Sequence, residues 1–122
     1  AICSAYNSSP FFEFYCDDLK QVLFKDYNTL TSLNAALLHH ICHELGINTK
    51  LQTSDTYINA NDSNLDLRSS LNPKKVLTES QNFPRYIQTF EAKYGFQRNL
   101  SILDLLFHEG PETVNYLKSL HI

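Results

Sequence analysis

The chain has 122 residues, with 13 acids against 10 Lys and Arg for a formal net charge of −3; 43% of it is hydrophobic, 19% charged, and it holds only 3 Gly and 4 Pro. That size suits one compact domain, residues 1–122, able to hide roughly two thirds of its unfolded surface around a single core. No basic block exceeds Lys74-Lys75, which argues against duplex nucleic acid or an anionic membrane as main partner, and no apolar run approaches the roughly 18 to 20 residues of a membrane helix.

The opening "AICSAYN" places Ile2, Ala5 and Tyr6 on one face at helical spacing, as the last turns of an earlier helix would. With no methionine anywhere, the sequence reads as a trimmed product or an excised piece of something longer. Ser8-Ser9-Pro10 predicts a helix start, with a serine cap and a proline suited to the first turn. Phe11, Tyr15, Leu19 and Leu23, joined by Phe12 and Val22, form its apolar stripe, and the helix should end near Phe24 or Lys25.

Asn28 or Thr29 caps a second predicted helix, with Leu30, Leu33, Leu37, Ile41 and Leu45 on one face and Gly46 as terminator. Asn34 falls on the same arc, so a buried amide tied to a neighbouring backbone is expected. After the glycine, Ile47, Thr49, Leu51 and Thr53 alternate with polar residues and favour a short half-buried strand. The stretch from Asn59 to Ser70 reads as a loop with a turn at "LDLR". Around Tyr86, Gln88 and Phe90 the pattern fits a short strand or a helix equally. Ser101 followed three residues later by Asp104 resembles a capping box, and Gly110 stops a helix that is apolar nearly all round and should be the most buried. Pro111 and Glu112 begin a last helix that turns Val114, Leu117 and Leu120 inward. The expected fold is therefore α+β and mainly helical: a helical core with one or two short strands, part of a larger domain.

Asp104 is the one acid inside the apolar run from Leu100 to Phe107. The preferred reading is structural, a carboxylate near backbone N–H groups at the helix start; the alternative is a buried acid or base. His39 and His43 stand one turn apart with His40 between them, a spacing that metal sites use, but the helical wheel sends both to solvent and no HExxH pattern supports zinc. No GxSxG elbow and no glycine-rich phosphate loop can be written, and Cys42 beside His43 lacks the signatures of a cysteine hydrolase. Neither a metal nor another cofactor is expected. Asp66, Arg68 and Lys74-Lys75 make a polar set that could orient a carboxylate or phosphate, against the plainer reading of a solvated loop. Cys3, Cys16 and Cys42 show no CxxC spacing and no even count, so a reducing cytoplasm fits best.

Taken together, "AYNSSPFFEFYCDDL", "LTSLNAALLHHICHELGI", "DLRSSLNPKK", "YIQTF" and above all "NLSILDLLFHEGPETVNYL" resemble the carboxyl-terminal half of the WbqC-like protein family. The resemblance spans essentially the whole chain, and its last motif is the longest. Nothing here matches the earlier half that family members usually carry. The family pattern falls on Tyr6, Pro10, Phe11, Asn34, Asp66, Arg68, Gln88, Phe90, Asn99, Leu100, Ser101, Asp104, Phe107, Gly110 and Pro111. What the resemblance implies is a cytoplasmic protein of bacterial surface-polysaccharide synthesis of the O-antigen type, with a nucleotide-sugar or sugar intermediate as partner. It further implies either aminoacyl, in particular glycyl, transfer onto an activated sugar, or a non-enzymatic binding or scaffold module of the same pathway. Asp104, Asp66 and Arg68 are then the catalytic candidates, and Arg68, Gln88 and Asn99 the substrate-binding ones.

Overall fold

A computed structural model describes residues 1–57, 59 and 83–120. Its elements are α1 (Ile2–Tyr6), α2 (Phe12–Leu23), α3 (Leu30–Glu44), α4 (Glu91–Tyr94), α5 (Ile102–Glu109) and α6 (Thr113–Ser119), with a 3₁₀ turn, Gly110–Glu112, between the last two. Among the described residues there is no strand, so the α+β expectation is corrected to an all-helical one. The segment after Gly46 has the alternation of a strand but pairs with no neighbour among the described residues, and apart from a half-buried Leu51 it lies exposed. Unpaired backbone groups then stay with water instead of a ladder. The turn expected at "LDLR" lies outside the described residues.

The core forms where α2 crosses α5. Phe12, Tyr15 and Leu19, one stripe of α2, are buried against Leu106 and Phe107 of α5. Phe107 is wholly buried, its ring 5.2 Å from those of both Tyr6 and Phe12. The α2 stripe follows its sequence periodicity, and the helix ends at Leu23 with Phe24 as C-cap. Its start departs from expectation. No serine caps it: Ser9 is buried and its Oγ donates 2.6 Å to the Tyr6 carbonyl, closing α1. The Phe11 N–H donates instead to the Phe107 carbonyl, 2.9 Å away on α5. A tertiary acceptor has taken the place of a local cap.

In α3, Thr29 and Ser32 form a reciprocal capping box, and Gly46 adopts the positive φ of +65° that ends the helix. Leu37, Ile41 and Leu45 pack on the core only partly buried. Asn34 is exposed and its side chain makes no hydrogen bond within the described residues, which corrects the expected buried tie. Among the described residues α3 packs chiefly on α2, and Asn34 lines an open groove of about 480 Å³ with Leu38 and Ile102. α5 is the most buried element, as its composition predicts, with 104–108 all buried.

Candidate functional site

The stretch 83–88 is neither helix nor strand, and its burial alternates, turning Tyr86 and Gln88 inward and leaving Ile87 out. Gln88 replaces a strand partner with its own amide. Its Oε1 accepts the Gln97 N–H at 2.8 Å and its Nε2 donates to the Gln97 carbonyl at 2.9 Å, holding both ends of the 88–97 loop together across α4.

The 83–88 stretch delivers two donors to α5. Tyr86 Oη donates to Asp104 Oδ2 at 2.6 Å and Gln88 Nε2 to the same oxygen at 3.3 Å. Asp104 is only 4% exposed. The expected capping box is half present: Ser101 Oγ accepts the Leu103 N–H at 3.2 Å, but the Asp104 carboxylate turns away from the backbone to these side chains. Its other oxygen, Oδ1, lies 3.7 Å from His108 Nδ1, and the Tyr6 hydroxyl also reaches the carboxylate.

His108, one turn further on, is buried and has a defined tautomer. Its Nδ1 is 2.6 Å from the Asp104 carbonyl, which can only accept, so Nδ1 carries the proton. Its Nε2 accepts the Thr89 N–H at 2.9 Å, with Thr89 Oγ1 at 2.8 Å. A neutral imidazole satisfies both ends. Around it stand the rings of Tyr6 and Tyr86, with Tyr86 also edge-on to Phe96 and Tyr116. Burial, reinforced by the hydrogen bond to Asp104, pushes the Tyr86 phenol far above its ordinary range, and burial followed by the Asp104 charge raises Tyr6. Both hydroxyls remain protonated donors.

Two cavities flank the cluster. One, of about 140 Å³, is lined by Asp104, Gln88, Gln97, Phe90, Tyr94 and Leu100 with Gly95. The other, of about 260 Å³, lies between α5 and α6 and has Tyr86, Asn99 and Tyr116 among apolar walls. The structure thus joins two candidates from the sequence, Asp104 and Gln88, directly. Asn99 stands apart, exposed on the second cavity with φ of +54°, and Asp66 and Arg68 lie outside the described residues. Sequence reasoning missed Tyr86, Gln97 and His108. The spacing of His108 at four residues from Asp104 was the available signal. His39 and His43 are exposed as expected, and among the described residues no group of His, Cys, Asp and Glu is placed to hold a metal ion. None of the described helices is long and apolar enough to cross a membrane.

Comparison with known proteins gives a match to the sequence model of the WbqC-like protein family over residues 1–82. The chain belongs to that family. The placement differs from the sequence reading: the match lies on the first two thirds of this chain, α1 to α3 and the stretch beyond, and leaves out the closing motif from Asn99 to Leu117. Assignment of the whole chain to the carboxyl-terminal half of the family is overturned by that placement. The closing motif is an apolar helix, α5, buried in the core and ended by Gly110 and Pro111. Tyr6, Asp66 and Arg68 fall inside the matched residues, whereas Gln88 and Asp104 fall outside. Neither the curated proteins nor the solved structures contain a match to the chain.

Proposed function

We propose that this WbqC-like chain serves in the synthesis of bacterial surface polysaccharides of the O-antigen type, as a cytoplasmic component that binds a sugar intermediate. The carrying observation is the cavity over Asp104. A carboxylate, the Gln88 amide and the backbone-anchored Gln97 line it beside the rings of Phe90 and Tyr94. Hydroxyl groups need acceptors and donors at fixed angles, and the apolar face of a sugar ring suits an aromatic wall. Family membership supports the reading of the pathway, and three free thiols suit a reducing compartment.

A binding role fits this carboxylate better than a chemical one, because Oδ2 already serves two donors in a buried setting. Aminoacyl transfer, in particular of a glycyl group onto an activated sugar, is a second reading. Its support is the Asp104 carboxylate on the cavity wall, a group of the kind a general base uses to take a proton from an attacking amine or hydroxyl. The protein is to be incubated with nucleotide-sugars, with and without amino-acid donors, following binding by ligand-observed NMR and products by mass spectrometry. Sugar binding that Tyr94→Ala weakens several-fold without a shift in Tm, and no modified sugar, supports the binding role. A sugar gaining an aminoacyl group establishes the transferase. Absence of both binding and product sinks the proposal.

A further inference from the structure

α1 and α2 enclose a separate cavity of about 350 Å³ whose lining brings together two of the three cysteines, Cys3 from α1 and Cys16 from α2, with Ile2, Phe12, Leu19 and Lys20. Cys42 sits on α3, away from this lining. We propose that Cys3 and Cys16 form a peroxide-sensitive dithiol whose oxidation to a disulfide staples α1 onto α2.

The two thiols are placed for different steps. Cys3 is exposed on a five-residue helix that has no buried residue, so a small peroxide reaches it freely. Cys16 is half-buried; its Sγ donates to Asp17 Oδ1 at 3.6 Å and lies 3.9 Å from the Glu13 carbonyl. Burial first and the Asp17 charge next hold the Cys16 thiol above its ordinary range, with the Lys20 ammonium acting the other way. That ammonium is itself raised by Cys16 first, then by Asp17 and by Cys3, so it stands within electrostatic reach of both sulfurs. A protonated, sheltered thiol is a poor first target and an adequate second one.

In the first step the Cys3 sulfur, as thiolate, attacks one peroxide oxygen. The O–O bond breaks, and the departing hydroxide takes a proton and leaves as water, giving the sulfenic acid. The Cys16 sulfur then attacks the Cys3 sulfur. An S–S bond forms, the S–O bond breaks, and the Cys16 proton leaves with the hydroxide as a second water. Two thiols are oxidised by two electrons and one peroxide is reduced to two waters. Since a disulfide needs Cα atoms within about 7 Å, closure draws α1 tight to α2. Tyr6, at the other end of α1, stacks on Phe107 and faces His108, so the staple also restrains a wall of the Asp104 cluster.

The test treats the dilute full chain with hydrogen peroxide, alkylates remaining thiols, and digests it without reductant using two proteases, one that cuts after glutamate and one that cuts after lysine, since Glu13 separates Cys3 from Cys16 and Lys20 and Lys25 separate Cys16 from Cys42. The expected product joins the peptide of Cys3 to that of Cys16, two hydrogens lighter than the separate thiols, with Cys42 alkylated. Dithiothreitol reverses it. In Cys16→Ser the cross-link disappears and dimedone tags Cys3 as trapped sulfenic acid. Cross-links through Cys42 or between two chains, sulfinic acid at Cys3 with Cys16 still free, or three unreacted thiols would each overturn the proposal.

Discussion

Asp104 shows how little a single residue declares about its partners. Its burial was legible, because it stands in an apolar run that has to face the core. Its bonds were not, because Tyr86 and Gln88 precede it by 18 and 16 residues and lie in an irregular segment with no strong local signal. The consequence for mutation differs from that of a cap. In Asp104→Asn the amide oxygen can still accept from Tyr86 and Gln88, so most stability should remain. In Asp104→Ala the Tyr86 hydroxyl loses its acceptor and Gln88 one of its two, which should cost about 1–3 kcal/mol in urea unfolding, the penalty of orphaned buried donors. Equal losses for Asn and Ala would show that the side-chain network contributes nothing. Thr113 gives the opposite case. Its residue is fully buried and its Oγ1 has no hydrogen-bond partner among the described residues, so Thr113→Val removes an unsatisfied hydroxyl at constant shape. Thermal unfolding should show it equal to the parent or more stable, by about 1 kcal/mol at most.

At the scale of elements, what could be read in advance were features whose causes are local. The stripe of α2, the Thr29 cap, the Gly46 stop and the burial of α5 each depend on residues within a few positions of one another. Ser9 and the segment after Gly46 misled for a common reason: a cap needs its helix to begin there and a strand needs a neighbour, and both conditions are tertiary. The junction of α5 with α2 is the clearest tertiary device. Gly110 holds φ at +52°, and a Cβ built there would lie 2.6 Å from the Phe11 ring, the residue whose N–H is bonded to Phe107. Gly110→Ala therefore combines overpacking, about 1–3 kcal/mol, with a backbone penalty of about 1–2 kcal/mol. A denaturation midpoint indistinguishable from the parent would show that Phe11 moves aside freely. Leu106→Ala, in the same helix, should cost about 2–5 kcal/mol as a cavity-forming core truncation.

For the whole molecule, tyrosines distributed over the fold give stability a dependence on alkaline pH. Burial is the largest cause of the upward shift in Tyr6, Tyr15, Tyr86 and Tyr116, joined by the charge of Asp104 at Tyr6, of Glu44 at Tyr15 and of Glu109 at Tyr116, and at Tyr86 by its hydrogen bond to Asp104. In the unfolded chain these phenols return to the ordinary value of 10.0. Above that pH the unfolded state releases protons that the folded state keeps, so the native state binds more protons and the free energy of unfolding falls as pH rises. Below it both states are protonated and this contribution is fully present. Unfolding by urea at a series of pH values should therefore show a plateau on the acid side of pH 10 and a decline beyond it. Tyr86, the most strongly shifted, permits a specific check. Tyr86→Phe loses the bond to Asp104 and is less stable at neutral pH, but it has no proton to release at that position. Its deficit relative to the parent should shrink as the pH climbs past 10. A deficit that stays constant there would mean that the Tyr86 hydroxyl ionises in the folded protein as readily as in the unfolded one, and that the Asp104 cluster does not hold its proton.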